Sequence, residues 1–242
     1  MNEARITEQI RDMYNRQVAP TTDPRPRGRA RHYFVQRKIR CALEMGGFPP
    51  ATHLLEVGTW VGEYSFLLRE RGFKLTGLDL SDVAVDRARA WAASQQVADI
   101  DFHVGDARKM PFHNGQFAGV VSFSAFRYIP DMLTALQEVY RVLKPGGTAV
   151  IDFPNRYCPW FRGTKQVFGQ PTHIHDNHYR ADELIQLFES CGFREISARR
   201  LLFTPYVIPG WLLPVFKAVD FTLEPLPPAN FFAAIIMVKG VK

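Results

Sequence analysis

Residues 54–65 read LLEVGTWVGEYS, an apolar run that ends in a turn with glycines at positions 58 and 62. A strand, a glycine-rich turn and a helix form the unit that opens many nucleotide-binding folds. The glycines have GxxxG spacing, and Trp60 stands where a dinucleotide-binding turn has its middle glycine. Because a tryptophan hinders the close approach of a pyrophosphate, the turn disfavours a nicotinamide dinucleotide and favours a cofactor without phosphates.

Predicted strands and helices alternate along most of the chain. The apolar runs and helical periodicities predict strands over residues 53–57, 73–80, 99–104, 117–123 and 148–153, and helices over 62–72, 81–96, 131–147 and 180–193. Ser81 is a good N-cap for the second of these helices, and Pro145 with Gly146 is expected to end the third. This alternation predicts an α/β fold with a doubly wound, mostly parallel sheet that carries helices on both faces.

The two ends of the chain depart from this alternation. Helices are predicted at residues 3–14 and 32–45, before the first strand. The strands predicted at 194–203 and 230–238 form a hairpin that adds an antiparallel C-terminal strand. A proline- and aromatic-rich insertion at about 204–228 separates them, and connections of that length tend to be functional.

The composition bounds the class of protein. With 242 residues and 46% hydrophobic side chains, the chain is long enough for one α/β domain with an elaboration. It has no run of about 18 apolar residues, and its first residues are too charged for a signal peptide, so the sequence predicts a cytoplasmic protein. The cysteines at positions 41, 158 and 191 are far apart and predict neither a disulfide framework nor a zinc site.

Positive charge is concentrated near the N-terminus. The net charge is +6, and residues 1–50 hold ten Lys and Arg against five acidic side chains, with the densest stretch, PRPRGRAR, at 24–31. Such a stretch serves phosphates, anionic lipid head groups or acidic substrates, and it is equally typical of a solvated surface. The sequence leaves both interpretations open.

Acidic residues follow the second and third predicted strands. Asp79 ends the second strand, at the distance from Gly58 at which an acid accepts hydrogen bonds from ribose hydroxyls. Asp106 follows the third strand, where its carboxylate can accept from an exocyclic adenine amine. Because parallel strands end at one edge of the sheet, this order predicts a nucleoside-containing cofactor there.

Four segments resemble the class I, seven-stranded S-adenosylmethionine-dependent methyltransferases: LLEVGTWVGEYS, GLDLS, GDARKMPFHNGQFAGVVSFSAFRYIPDM and EVYRVLKPGGTAVI, within residues 54–151. The resemblance implies a seven-stranded sheet, S-adenosylmethionine as cofactor and S-adenosylhomocysteine as its product. The implied contacts are Glu56, Gly58 and Gly62 for the methionine end, Asp79 for the ribose, Asp106 and Ala107 for the adenine, and Ser122 and Ser124 beside the sulfonium. Thr59, Trp60 and Leu80 complete the implied cofactor-binding set.

Two departures from the family pattern are informative. Most members have a glycine at the place of Trp60, but the catechol and caffeoyl-type O-methyltransferases have an aromatic residue in a similar turn. Those relatives hold a metal with an acid after the fourth strand and an Asp-Asn pair after the fifth, whereas this chain has VSFSAF and Asp152-Phe153-Pro154-Asn155 there. The sequence therefore predicts an altered but intact cofactor turn and no metal.

Methyl transfer to a hydroxyl needs a base as well as alignment. His173, His175 and His178 cluster in the loop after the fifth predicted strand, and His175, followed by His173, is our candidate base. The alternative is that these imidazoles cap the next helix or pack a loop; an HxHxxH metal site is disfavoured without carboxylates or cysteines at ligand spacing. Resemblance to quinone-type C-methyltransferases implies that Tyr14, in a lid segment, reaches the methionine end and that Arg127 follows the fourth strand.

The insertion presents apolar residues at helical spacing: Leu212, Val215, Phe216, Val219 and Leu223, with Trp211 near one end. The sequence leaves four roles open for such a helix: it packs in the core, caps a substrate, mediates a dimer or faces a lipid monolayer beside the basic N-terminus.

We divide the chain into three parts. Residues 1–50 form an N-terminal helical lid, and residues 51–153 form the S-adenosylmethionine-binding core. Residues 154–242 are the C-terminal part of the same domain, with a substrate-cap insertion at about 204–228.

These features predict an S-adenosylmethionine-dependent methyltransferase that acts on an oxygen or carbon of a small, hydrophobic or aromatic acceptor, such as a natural product, quinone or lipid-like phenol. A nucleic-acid methyltransferase is one alternative, but SFSA stands where amino-methylating enzymes have a polar-Pro-Pro-aromatic tetrad, so no nucleic-acid partner is expected. A non-catalytic protein that keeps the fold is the other. Peripheral membrane contact, and a monomer or a homodimer, stay open.

Overall fold

The computed structural model describes residues 3–18, 23–159, 176–205 and 208–242. In these ranges the strands are β1 (His53–Val57), β2 (Lys74–Asp79), β3 (Ile100–Val104), β4 (Phe117–Ser122), β5 (Leu143–Pro154), β6 (Arg194–Leu201) and β7 (Ile235–Val241). The helices are α1 (Glu3–Gln17), α2 (Arg29–Gly46), α3 (Glu63–Arg69), α4 (Asp82–Ser94), α5 (Met132–Val142), α6 (Ala181–Ser190) and α7 (Leu213–Leu223).

The strands form one sheet of seven with the order β3-β2-β1-β4-β5-β7-β6. The first five strands are parallel, and β7 is inserted antiparallel between β5 and β6. The strand order reverses between β1 and β4, and ligands of open α/β sheets bind at the carboxyl ends of the strands beside such a switch point. The predicted fold class is confirmed, including the antiparallel C-terminal strand.

Helices cover both faces of the sheet because its central strands are apolar on both sides. On one face α2, α3 and α4 pack in a buried cluster that includes Ile39, Leu67 and Val85. On the other face α5 and α6 pack in a second cluster that includes Val139 and Phe188. Ser81 caps α4 as predicted, and its hydroxyl accepts from the Ala84 backbone N–H at 3.0 Å.

The predicted boundaries differ most from the structure at two places. The third core helix ends at Val142, before the proline, because Leu143 already pairs with Phe117 in the sheet and a residue before proline favours extended backbone. The last strand begins at Ile235, five residues later than predicted, because residues 229–232 form a short 3-10 turn.

The two ends of the chain form helices that lie outside this alternation. Helix α1 lies beside the carboxyl edge of the sheet, where Asn15 exchanges hydrogen bonds with Ser81 and Asp82 at the start of α4. The insertion between β6 and β7 contains α7. Among the described residues, no helix is both long and apolar enough to cross a membrane.

Candidate active site

The carboxyl ends of β1, β2, β3 and β4 border a cavity of about 500 Å³. Small-molecule sites typically have volumes of about 300–1,000 Å³. On the sheet side the cavity is lined by residues 57–60, 78–80, 105–108 and 123–125, and side chains of α1 and α2 cover it. The order of glycines and acids in the sequence predicted a cofactor site at the carboxyl edge of the sheet, and the cavity lies at this edge.

The turn after β1 adopts a conformation that favours glycine. Gly58 has φ +78°, and a Cβ there would lie 2.1 Å from the Ala125 Cβ. Trp60 also has a positive φ, +54°, which costs a residue with a side chain about 1–2 kcal/mol. This explains why a glycine suits the position, and the indole gains a compensating contact: its ring packs edge-on against Tyr14 of α1, with centroids 5.5 Å apart.

Asp79 joins this turn to the end of β2. One carboxylate oxygen accepts from the Ser81 backbone N–H at 2.9 Å, and the other accepts from the Trp60 backbone N–H at 2.7 Å. Burial raises the pKa of Asp79 above its usual value. An ionised carboxylate can accept about four hydrogen bonds, so it keeps capacity for a hydroxyl donor from the cavity that Asp79 lines. The Asp79 carboxylate is thus a hydrogen-bond acceptor suited to the hydroxyls of a ribose.

Asp106 follows β3, the neighbour of β2 in the sheet, and is held by Arg108. Its carboxylate accepts from the backbone N–H and the guanidinium of Arg108, at distances of 2.7–3.2 Å. Burial opposes ionisation, but these hydrogen bonds lower the pKa of Asp106 overall. Arg108 also donates to the Thr7 hydroxyl of α1 at 2.6 Å, so α1 and the predicted adenine site share one guanidinium.

The structure brings most of the predicted cofactor residues together, but three lie behind the cavity wall. Glu56 is fully buried and accepts from Ser65 and, at 3.1 Å, from Thr59. The Ser122 hydroxyl donates to the Val57 carbonyl at 2.7 Å, so Ser124 is the serine of this turn that lines the cavity. Gly62 begins α3 with φ +85°. Direct cofactor contacts of Glu56, Gly62 and Ser122 stay predictions.

Glu56 gives stability a measurable pH dependence. Burial raises its pKa to about 8, from 4.5, despite hydrogen bonds that lower it. The folded protein therefore binds more protons than the unfolded chain between these values, and the free energy of unfolding should fall with rising pH by up to about 1.4 kcal/mol per unit, then level off.

Comparing the wild type with Glu56→Gln in urea titrations from pH 5 to about 9 isolates this contribution. The free energy of unfolding of the wild type should fall relative to that of Glu56→Gln as the pH rises to about 8. Glu70→Gln, at an exposed position near the end of α3, is the matched control. Parallel stability curves for wild type and Glu56→Gln would contradict a raised pKa.

A buried ion pair that the sequence analysis missed lies under the cavity. Lys38 of α2 and Asp152 of β5 are both fully buried, with Nζ and Oδ2 2.5 Å apart. Lys38 also donates to the Ser124 hydroxyl at 2.7 Å, and its ammonium lies 5.1–5.7 Å from the centroids of three aromatic rings: Phe34, Tyr64 and Phe123. Although burial alone would lower it, the Asp152 carboxylate raises the pKa of Lys38.

This pair fixes the turn after β4. Ser124 has φ +61°, and its backbone N–H donates to Asp152 at 2.5 Å. A signal for Lys38 was present in the sequence: it lies three residues after Val35 and one before Ile39, on the apolar stripe of α2. A lysine on such a stripe needs a buried counter-charge, which β5 supplies.

Arg127 organises the other end of the cavity. Its Nε donates to Asp176 at 2.6 Å, and its guanidinium stacks over Tyr128 at 5.2 Å. An Nη atom lies 3.4 Å from the imidazole of His178, the described member of the predicted histidine cluster. Predictions for His173 and His175 fall outside the described residues.

Tyr14 lines the cavity between Trp60 and Tyr128, whose ring centroid is 5.6 Å away, and its contact with the methionine end of the cofactor stays a prediction. Burial raises its pKa far above the usual value. Tyr14 therefore stays a neutral phenol that can donate a hydrogen bond and cannot serve as a base at ordinary pH. Among the described residues, no group of three or more His, Cys, Asp or Glu side chains is arranged to hold a metal ion.

The sheet order, the glycine turn after β1 and the acid after β2 define a Rossmann-like methyltransferase fold. A family model described as a methyltransferase domain matches residues 55–151. This match, with solved S-adenosylmethionine-dependent methyltransferases of the same fold, confirms the predicted methyltransferase domain and S-adenosylmethionine as its cofactor.

Several known proteins are similar to the chain. It is 29% identical over 199 residues to the 2-methyl-6-phytyl-1,4-hydroquinone methyltransferase of Synechocystis sp., an alignment that covers 77% of this chain and 62% of that protein. It is 27% identical over 191 residues to the demethylmenaquinone methyltransferase of Staphylococcus aureus, covering 69% and 78% of the two chains. A possible histamine N-methyltransferase from Thermotoga maritima has the same fold, with a TM-score of 0.67, 18% identity, and coverage of 98% of this chain and 99% of that chain.

Proposed function

We propose that this protein transfers the methyl group of S-adenosylmethionine to a ring carbon or oxygen of a small, hydrophobic, quinol-like acceptor. The observation that carries the proposal is the division of the cavity into two unlike halves. Asp79 and Asp106 make one half polar, whereas Phe34, Phe123 and Ile235 contribute to an apolar half. The hydroquinone and demethylmenaquinone methyltransferases to which the chain is similar support a quinol-like acceptor.

The polar half suits the cofactor. Asp79 has lone pairs for the ribose hydroxyls, and the backbone at Gly58 and Ala107 approaches the cavity closely. When bound, S-adenosylmethionine supplies an electrophilic methyl group on a sulfonium, and the protein's task is then alignment. The turn at Ser124, held by Lys38 and Asp152, forms part of the cavity wall.

The apolar half suits an aromatic acceptor with a hydrophobic tail. Phe34 and Phe123 offer ring faces, and Tyr14 can donate to an acceptor oxygen. Arg127 lies beside the same space, and its guanidinium, which is paired with Asp176, can donate a hydrogen bond to an acceptor oxygen. Phenolate character of that oxygen makes both it and the neighbouring ring carbon better nucleophiles. His175 and His173 stay our proposed bases for removing the acceptor proton.

The test has two stages. Calorimetric titration with S-adenosylmethionine and S-adenosylhomocysteine should show binding of both. The protein is then incubated with methyl-labelled S-adenosylmethionine and, separately, with prenylated hydroquinones, simple catechols, and RNA or DNA. We expect label in the hydroquinones, and spectroscopy of the product distinguishes carbon from oxygen methylation.

Other outcomes would change the assignment. Transfer to nucleic acid would replace the acceptor class. Cofactor binding without transfer to any small molecule would favour a non-catalytic role for the fold. Failure to bind either cofactor form would contradict the proposal as a whole.

A further inference from the structure

Helix α7 is packed with its acidic residues inward. Asp220 is buried and accepts hydrogen bonds from the backbone N–H groups of Phe203 and Thr204, at 2.6 and 3.1 Å. Glu224, just past the helix end, accepts from the Leu202 backbone N–H at 2.9 Å and pairs with Arg37 of α2. These polar contacts, together with the buried Leu213, fix the inward side of α7.

The side of α7 that faces away from the protein is also apolar. Trp211 is 77% exposed, Val215 59% and Phe221 84%. Residues three and four apart lie on one side of a helix. We define the outer face of α7 as the exposed residues at this spacing: Trp211, Pro214, Val215, Ala218, Phe221, Thr222 and Pro225. Scattered exposed apolar residues are normal, but a continuous apolar face marks an interaction site.

Cations border this outer face. Arg29, at the start of α2, lies against Gly210, where an added Cβ would be 3.8 Å from the Arg29 Cδ. Lys217 is exposed and its ammonium lies 5.0 Å from the centroid of Tyr33. Arg29, Tyr33 and Lys217 line one shallow groove between α2 and α7, and the exposed Arg27 comes just before it. The basic stretch singled out in the sequence thus meets the apolar helix in space.

We propose that the outer face of α7, with Arg27, Arg29 and Lys217, binds the surface of a bilayer that contains anionic phospholipids. Apolar and aromatic side chains beside Lys and Arg are the combination that inserts at the interface while the cations pair with phosphate groups. The charge pattern favours lipid over a second copy of this chain, because the face brings cations and no exposed acid of α7 to pair with them.

The surface is also connected to the cavity. Thr204 and Pro205 line the cavity, and Thr204 is the residue whose backbone and hydroxyl are bound by Asp220 of α7. Docking of the outer face would therefore place the lipid surface next to the segment that lines the apolar half of the cavity. This inference needs only the surface, so it stands or falls separately from the acceptor assignment.

The experiment is co-flotation of the full chain with vesicles of phosphatidylcholine alone and of equimolar phosphatidylcholine and phosphatidylglycerol. We expect binding to the anionic vesicles that weakens with added salt. The double variant Trp211→Ser with Phe221→Ser should lose at least about tenfold in affinity. Reversing two charges, Arg29→Glu with Lys217→Glu, should cost about thirtyfold or more.

Matched variants control for exposure and charge. Leu133→Ser changes an exposed leucine on α5, and Lys74→Glu with Lys144→Glu changes two exposed lysines elsewhere on the sheet; neither should alter flotation. Calorimetric cofactor binding by every variant shows that the fold is intact. Equal flotation of all variants, or none with anionic vesicles, would overturn the proposal. The proposal would also be overturned if the protein did not bind vesicles and instead formed a dimer, seen by sedimentation velocity, that Phe221→Ser abolishes.

Discussion

Replacing Lys38 with methionine is expected to lower the free energy of unfolding by about 3–5 kcal/mol, because the Asp152 carboxylate would stay buried without its counter-charge. Methionine keeps most of the volume, so the loss reports charge and hydrogen bonding more than packing. Urea denaturation at neutral pH measures the effect. The same variant should weaken cofactor binding, since the ion pair holds the strained Ser124 turn at the cavity wall.

Two further variants show whether the loss comes from the pair. Arg40→Met, at an exposed position on the same helix, should change stability by less than about 0.5 kcal/mol. Adding Asp152→Asn to Lys38→Met removes the orphaned charge and should recover part of the lost stability. If Lys38→Met costs no more than Arg40→Met, the ion pair does not form in solution.

Replacing Asp79 with asparagine is expected to weaken the binding of S-adenosylmethionine and S-adenosylhomocysteine by about a hundredfold. Hydrogen bonds to a charged group contribute about 1.5–3 kcal/mol each, and the carboxylate keeps capacity for a ribose hydroxyl. Asparagine keeps one acceptor oxygen, but its amide N–H₂ would face either a backbone N–H or a hydroxyl donor. Calorimetric titration of both cofactor forms measures the change.

Asp86→Asn is the matched control, because Asp86 is an exposed acid one turn further along α4. It should bind the cofactor as the wild type does. Thermal unfolding of Asp79→Asn without ligand separates lost binding from a disturbed turn, since Asp79 also accepts from Trp60. Undiminished affinity in a stable Asp79→Asn variant would show that another residue holds the ribose.

Local patterns were enough to predict the core of the fold. The apolar runs, the cap at Ser81 and the acids after the strands depend on neighbours in sequence, and the structure places them as expected. The end of α5 was missed because pairing between Leu143 and Phe117, remote in sequence, overrides helical periodicity. The sequence could not rank these competing preferences.

The site was less predictable, because side-chain direction at a turn depends on tertiary contacts. Ser122 and Ser124 look equivalent in the sequence, but the positive φ of Ser124 lets only the second line the cavity. Val215 belongs to an apolar helical pattern and yet is exposed, because Asp220 and Glu224 find backbone donors beyond the end of β6 and turn that side of α7 inward.

Helix α1 makes few buried contacts with the rest of the protein, and this affects how fast the enzyme turns over. Ile10 is the one fully buried side chain among the described side chains of this helix, which is otherwise tied down by Thr7, Tyr14 and Asn15. A helix of 15 residues with so little apolar burial is marginal by itself. We therefore expect the spent cofactor to leave by detachment of this one helix while the sheet stays intact, so that the residence time of the product depends on α1. We also expect a ligand that binds under α1 to pay the free-energy cost of ordering this helix, which weakens its binding and speeds its release.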